Sequence, residues 1–376
     1  MSLAVPAIAQ KKIAMSLNWR IAADLPADNG KLYATGLAGP VTGISSDIFF
    51  VGGGANFPDS MPWVGGKKKY YNKIYAYAIR HEQLVPIKKT YTLPFSIAYA
   101  ACCSTAFGVL YAGGENETGI TNKVGLIQWN TKTQNIAVKT LPDLPIAVSN
   151  AAITLVGNTV YVAGGETATG ASPQFIALDL KNSSDGWKQL SPLPHAVSHT
   201  ILVASPLQHS NRIYVAGGRK KNSDGISDLL ADVLQYDIAT NSWEKKTSLP
   251  YALSAGTGSI NADGNILLFG GDKGTTFHQV ETLIAAISNE KNEIKKQELI
   301  LEKNKIQATH PGFSKEILLY NVKTDSWKTI GTIPFATPVT TTAVKNKEII
   351  YIASGEIRAG VRSPHILSVT ILPGNK

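Results

Sequence analysis

The chain has 376 residues, with 33 glycines, 19 prolines, 8% aromatic residues and a formal charge of +9. That length allows a large core, and glycine, proline and recurring aromatics favour many short strands joined by turns over a helix-rich fold. The positive charge is spread over scattered lysines, with no Arg/Lys stripe interleaved with aromatics, so nucleic acid is not an expected partner; no apolar run reaches the ~18 residues of a membrane span, so no membrane association is expected.

Taken in chain order, the first stretch is MSLAVPAIAQKK, where Ala7-Ile8-Ala9 before Gln10 looks like the small-residue cleavage end of a secretory signal without its charged and apolar parts. Residues 1–16 are therefore expected to be a signal remnant or a disordered arm, and the protein is expected to be periplasmic. LNWRIAADLP (17–26) reads as a strand carrying Trp19 and ending in Leu25-Pro26. Lys67-Lys68-Lys69 falls in a glycine-flanked loop and reads as a solvated surface. The two cysteines are adjacent, Cys102-Cys103. Strand neighbours point to opposite faces, so they form no ordinary disulfide, and they lack metal-ligand spacing.

From residue 48 onward one signal repeats. An apolar run closes on glycine at IFFVGG (Gly53), VLYAGG (Gly114), VYVAGG (Gly165), IYVAGG (Gly218), ILLFGG (Gly271) and IYIASG (Gly355). A second apolar run follows each, at 73–77, 126–129, 175–179, 233–237, 317–321 and 365–369. After five of them comes a further strand and a pair, Leu93-Pro94, Leu144-Pro145, Leu193-Pro194, Leu249-Pro250 or Ile333-Pro334. The sixth unit lacks that last strand, and residues 17–26 supply it with the spacing of Trp187, Trp243 and Trp327 to their own pairs. The expected fold is all-β: a six-bladed β-propeller over residues 17–376, four strands per blade, closed by the N-terminal strand completing the C-terminal blade. The Gly-Gly, aromatic and Trp pattern resembles the kelch family across essentially the whole chain. One loop is stretched, at about 275–311, where Val280, Leu283, Ile284 and Ile287 follow a helical period. An amphipathic helix inserted there reads as a surface decoration or, in the sharper reading, as a lid or a homodimer contact on the face where the Gly-Gly loops emerge.

The register of the repeats aligns Gly54, Glu115, Glu166, Arg219, Asp272 and Glu356, one residue per blade. The turns after the Leu-Pro pairs bring Tyr99, Asn150 and His199, each five residues past its proline, to the same face. Glu356 differs from the other glutamates in its company. Arg358 and Arg362 share its loop, and Gly360 permits a tight turn returning Arg362 to the carboxylate. A Glu/Arg pair in a concave site serves as a base and an anion clamp together.

GEIRAGVR (355–362) resembles the Gly-Glu…Gly-(Leu/Val)-Arg motif of the bacterial N-acetylneuraminate epimerases, also called sialic acid mutarotases, which are periplasmic six-bladed propellers. Residues 36–57 and 217–243 look like segments of the same family, and the insertion falls in the corresponding blade. The chain resembles a cyclically permuted member, since its GLAG segment precedes the Gly-Glu…Arg blade. The resemblance implies an isomerase that acts on a small anionic sugar, sialic acid, with Glu356 as proton acceptor assisted by Arg362. On this reading Arg362 holds the substrate carboxylate through its planar fork, and no metal or organic cofactor takes part. Arg219, Asn150, His199, Glu166 and Arg358 are the expected substrate-binding residues, the first four around the N-acetyl and glycerol groups.

Two other readings stand beside it. A non-catalytic kelch propeller would bind a protein or glycan on the same face, with NFPDSMPW (56–63) as its chief long loop. A copper oxidase of the galactose-oxidase type needs a Tyr/Tyr/His/His ligand set; His195 and His199 lie four apart on a turn entering a strand, which does not supply it.

Overall fold

A computed structural model describes residues 16–27, 33–207 and 210–372. The signal remnant expected at the N-terminus lies outside these, save Ser16, which already belongs to a strand. The chain folds as a six-bladed β-propeller of antiparallel sheets. From the inside outward, blade 1 holds Ala38–Ser45, Ile48–Asn56, Lys73–Arg80 and Gln83–Thr92. Blade 2 holds Ala101–Thr105, Gly108–Ala112, Val124–Asn130 and Asn135–Leu141. Blade 3 holds Ala152–Val156, Thr159–Ala163, Phe175–Asp179 and Lys188–Gln189. Blade 4 holds Ile201–Leu207, Ser210–Lys221, Ser227–Asp237 and Ser242–Lys246. Blade 5 holds Thr257–Ile260, Ile266–Phe269, Glu316–Asn321 and Ser326–Thr332. Blade 6 is built from Ala343–Asn346, Ile349–Ala353 and His365–Leu372, with Ser16–Asp24 as its outermost strand.

The core is divided among the blade junctions, because each sheet buries one face on the blade before it and one on the blade after. Phe50, Tyr91, Tyr111 and Trp129 join blades 1 and 2; Phe175, Tyr236 and Trp243 join blades 3 and 4. The closing junction is packed like the rest: Phe49 and Tyr351 meet with ring centroids 5.3 Å apart. The N-terminal strand runs antiparallel to His365–Leu372 with Trp19 opposite Val369, and its indole packs edge-on to Phe269 of blade 5 at 5.9 Å. Joining the two termini in one sheet means the ring opens only if a complete strand ladder is lost.

The repeating residues have local causes. Each Leu or Ile of the Leu-Pro pairs is buried and donates its backbone N–H into its own blade, from Leu25 to Pro364, Leu144 to Asn122 and Ile333 to Lys315, all at 2.8 Å. The indoles of Trp187, Trp243 and Trp327 donate to the carbonyls of Pro142, Ser191 and Thr247 at 2.8–2.9 Å, tying each outer strand to the preceding blade. The first glycine of the Gly-Gly pair is left-handed, and a β-carbon on Gly113, Gly164 or Gly217 would lie 2.3 Å from the next blade's backbone carbonyl. Blade 6 has Ser354 there, with φ 57° and no exposure. Its hydroxyl donates to Ser363 O (2.6 Å) and accepts the Leu37 N–H (2.7 Å), stitching the last blade to the first.

At the face where these glycines lie, Gly39, Tyr99, Asn150, His199, Ala255 and Thr340 all take positive φ. Each donates its backbone N–H to the carbonyl of the one before it, and Gly39 to Thr340, so a closed circle of hydrogen bonds of 2.8–3.1 Å surrounds the channel mouth. Behind it the inner strands enclose a cavity of about 390 Å³.

The insertion is a pair of helices, where the sequence pattern predicted one. α1 (Thr275–Asn289) and α2 (Glu293–Ala308) pack against each other. The break is made by Asn292, whose Oδ1 caps α2 through Ile294 N and Lys295 N while its own N–H is held by Glu290. The predicted apolar stripe is only partly covered, since Ile284 is exposed. α1 is held instead by Glu281, a buried carboxylate that accepts from both the N–H and the hydroxyl of Ser227 in blade 4 at 2.8 Å. α2 reaches the short 3-10 turn Pro62–Val64 of blade 1, so the pair bridges the face from blade 4 to blade 1.

Candidate active site

The residue after each glycine pair is fixed by backbone bonds: Ala98 pairs with Glu115, Ser149 with Glu166, Ser198 with Arg219, Ser254 with Asp272 and Val339 with Glu356. The sequence register needs one correction. Gly54 is not the blade 1 member, because Gly53-Gly54 forms the turn, with Gly54 N–H donating to Ile97 O as Gly114 N–H does to Val148 O. The equivalent residue is Ala55, paired with Ala38. The triple glycine allowed either alignment, and only the hydrogen bonds distinguish them.

Three of these residues open a small two-stranded ribbon, and the residue facing the glutamate differs in each. It is Ile120 opposite Glu115, Ala171 opposite Glu166 and Arg362 opposite Glu356. Gly360, at φ 71°, makes the turn that returns Arg362, and its N–H donates to Glu356 Oε1 at 2.7 Å. Arg362 Nη1 lies 3.6 Å from the same oxygen. Among the described residues no hydrogen bond reaches Oε2 of Glu356. Arg362 is buried, its guanidinium carbon 4.9 Å from the centroid of Phe57, and among the described residues its Nε and Nη1 have no hydrogen-bond partner. Unmet donors on a buried cation are costly, and an incoming carboxylate would satisfy them. Tyr99 closes this side: burial pushes its phenol pKa up, against the opposing charges of Lys68 and Arg362.

The other acids in the ring are committed. Glu115 Oε1 accepts from Tyr70 at 2.7 Å and from Lys68 at 3.2 Å, which withdraws Lys68 from the solvated surface expected for it. Burial lowers the Lys68 pKa, but Tyr99, Glu115 and Tyr70 outweigh it and the net shift is upward. Asp272 caps the following turn through Gly274 N at 2.8 Å.

Across the ring, Glu166, His199 and Arg219 form one cluster. Arg219 Nη2 lies 3.4 Å from Glu166 Oε1 and 3.3 Å from His199 Nε2, while Ser198 Oγ bridges His199 Nδ1 (3.0 Å) and Glu166 Oε1 (3.2 Å). Burial, then the Arg219 charge, holds the His199 pKa well below 6.5. Arg219 stacks on Phe277 of α1 at 4.7 Å, and among the described residues its buried Nε has no hydrogen-bond partner, repeating the arginine-on-phenylalanine arrangement of Arg362. Asn150 stands between the clusters, its amide donating to Ser149 Oγ at 3.3 Å. The structure thus brings Glu356 with Arg362, and Glu166 with His199 and Arg219. Arg358 stays apart, exposed and paired with Val361. Asn150 and His199 border the central cavity, whereas Glu356 and Arg362 stand on the rim above it. Sequence reasoning missed Phe57, Phe277 and Lys68, which come from loops and an insertion outside the repeat.

No group of three or more His, Cys, Asp or Glu side chains among the described residues is arranged to hold a metal ion. The chemistry available is that of a carboxylate with one free oxygen beside unmet guanidinium donors, facing a polar cluster across a concave mouth.

Comparison with known proteins finds relatives that share one name. The chain is 28% identical to an N-acetylneuraminate epimerase of Haemophilus influenzae over 234 residues, covering 62% of this chain and 60% of the relative. It is 28% identical over 258 residues to one of Brucella melitensis, covering 67% and 64%, and 29% identical over 227 residues to one of Pasteurella multocida, covering 59% and 57%. The matches therefore span less than two thirds of these relatives' length. The N-acetylneuraminate epimerase family model matches residues 141–375, a stretch that contains both the Glu356–Arg362 pair and the Glu166–His199–Arg219 cluster, and the chain belongs to that family.

Proposed function

We propose that this protein interconverts the α and β anomers of N-acetylneuraminate, with Glu356 moving the proton. The observation that carries the reading is the asymmetry of Glu356: Oε1 is anchored by Gly360 N–H and flanked by Arg362, while Oε2 is left for a substrate. The names of the family and of the relatives support the sugar.

The anomeric carbon of this sugar bears a hydroxyl, the ring oxygen and a carboxylate. Glu356 takes the hydroxyl proton; the electron pair of that O–H bond forms the C=O bond as the bond from the anomeric carbon to the ring oxygen breaks. The ring oxygen leaves with the electron pair of the broken C–O bond and receives the proton back from the Glu356 carboxylic acid. Rotation of the open ketone presents its other face, and the same steps reversed close the second anomer. Atoms, charge and oxidation state balance without a co-reactant. Hydroxyl and ring oxygen share one carbon, so a single carboxyl group can reach both. Positioned proton transfer of this kind contributes on the order of 10²–10⁴-fold. Arg362 holds the carboxylate through its Nε and Nη1, which have no hydrogen-bond partner among the described residues. The Glu166–His199–Arg219 cluster and Asn150 hold the N-acetyl and glycerol ends, and Arg358 contributes charge at the rim. Export to the periplasm belongs to the same proposal, motivated by Ala7-Ile8-Ala9.

The test follows α-N-acetylneuraminate, freshly released by a sialidase, by proton NMR with and without the protein. Acceleration that disappears in Glu356→Gln while sugar binding persists is the expected result. Equal rates with and without folded wild-type protein reject the activity, and a protein or glycan captured without sugar binding supports a binding module instead.

A further inference from the structure

The helical pair ends at His310, a buried histidine outside the propeller repeat. Its Nδ1 accepts the Gly312 N–H at 3.0 Å, and a nitrogen that accepts carries no proton, so the neutral ring has its hydrogen on Nε2. Phe313 packs against the ring with centroids 5.0 Å apart, which restrains its rotation. The turn carrying it lies over the Glu356 ribbon: a β-carbon on Gly312 would lie 3.5 Å from the carbonyl oxygen of Ile357. Among the described residues Nε2 has no hydrogen-bond partner. The charged groups that bias the ring are Asp272, Glu356 and Arg358, two of them residues of the ring of acids; burial is the larger influence and keeps the imidazole neutral.

We propose that His310 is a further catalytic residue, a fixed neutral donor whose Nε2–H binds the ring oxygen of the sugar beside Glu356. The inference rests on the reading of Glu356 as proton carrier. As the bond from the anomeric carbon breaks, negative charge develops on the ring oxygen before the proton returns, and a preorganised donor there lowers the barrier. The imidazole transfers no proton itself, so the balance of the reaction is unchanged. The insertion, on this view, completes the site: α1 places Phe277 under Arg219, and the exit from α2 sets the His310 turn over the Glu356 ribbon.

The experiment compares wild type, Glu356→Gln, His310→Ala and His310→Gln in the NMR anomerisation assay, with melting curves and sugar affinity measured for each. His310→Ala should keep its affinity and lose kcat on the order of 10²-fold, the scale for one lost oxyanion donor. His310→Gln, whose amide N–H can occupy the Nε2 position, should recover most of that loss. An unchanged kcat in His310→Ala, with wild type active and Glu356→Gln inactive, overturns the role of His310 alone; an inactive wild type removes both readings together. Should the alanine variant not fold, nitrogen-15 NMR of wild-type histidines decides. The Nε2–H signal of His310 should be present at neutral pH and shift when N-acetylneuraminate is added, and an Nδ1–H tautomer or an unmoved signal overturns the proposal.

Discussion

Arg219 donates to His199, with Nη2 3.3 Å from Nε2 of the imidazole. A guanidinium has only donors, so Nε2 is the acceptor and the neutral ring carries its proton on Nδ1, toward Ser198. A buried histidine in this arrangement must stay neutral for the cluster to hold.

Stability should therefore fall on acidification. His199 has a native pKa far below its ordinary 6.5, so below that pH the unfolded chain binds more protons than the native one. The contribution is complete above about 6.5 and is lost as the pH falls toward the native value; His310, also lowered, acts with the same sign. Melting curves from pH 7.5 to 5 should show Tm dropping, with a shallower drop in His199→Gln. A Tm independent of pH in wild type would contradict the neutral, buried imidazole.

Arg362→Lys keeps the charge but replaces a planar, phenylalanine-stacked guanidinium by a point charge on a flexible stem. Losing charge-assisted hydrogen bonds to the substrate carboxylate should raise KM about tenfold or more. kcat should change less, because the carboxylate is bound in ground and transition states alike. Steady-state anomerisation kinetics check the split.

Ser354→Ala should destabilise the ring closure. The hydroxyl serves Leu37 N and Ser363 O at a fully buried position, and removing it leaves both backbone groups unmet, a cost of about 1–3 kcal/mol. Urea unfolding should show a lower midpoint at unchanged slope.

Glu281→Leu should release the helical pair while the propeller persists. Ser227 loses both acceptors of its N–H and hydroxyl, about 1–3 kcal/mol concentrated at the anchor of α1. Limited proteolysis should cut between α1 and α2 sooner than in wild type, and sugar affinity should weaken as Phe277 loses its place under Arg219.

The propeller was legible from the chain because its signals are local and recur. Gly-Gly marks a left-handed backbone against a neighbouring carbonyl, tryptophan an indole N–H that reaches the preceding blade, and Leu-Pro a buried anchor. Trp19 and Leu25-Pro26 have the same spacing, so even the closure by the N-terminal strand could be read before any coordinates. The Glu356–Arg362 pair was legible too, since a seven-residue hairpin with Gly360 at its turn sets the two residues opposite each other.

What lay beyond the sequence involves residues far apart in the chain. Nothing in a single strand says that Lys68 and Tyr70 occupy Glu115, that Arg219 reaches back to Glu166, or that Phe57 and Phe277 lie beneath the two arginines. The helical period of the insertion was visible, yet its division at Asn292 and its anchoring through a buried Glu281 were not, because capping and carboxylate burial depend on which partner is nearby. The blade 1 register turned on three consecutive glycines, and backbone bonds to Ile97 and Ala38 assigned it. Repetition made the scaffold readable, since each blade solves the same packing problem with the same residues. The site arises where the blades differ, and those differences act through contacts between blades that only the closed ring brings together.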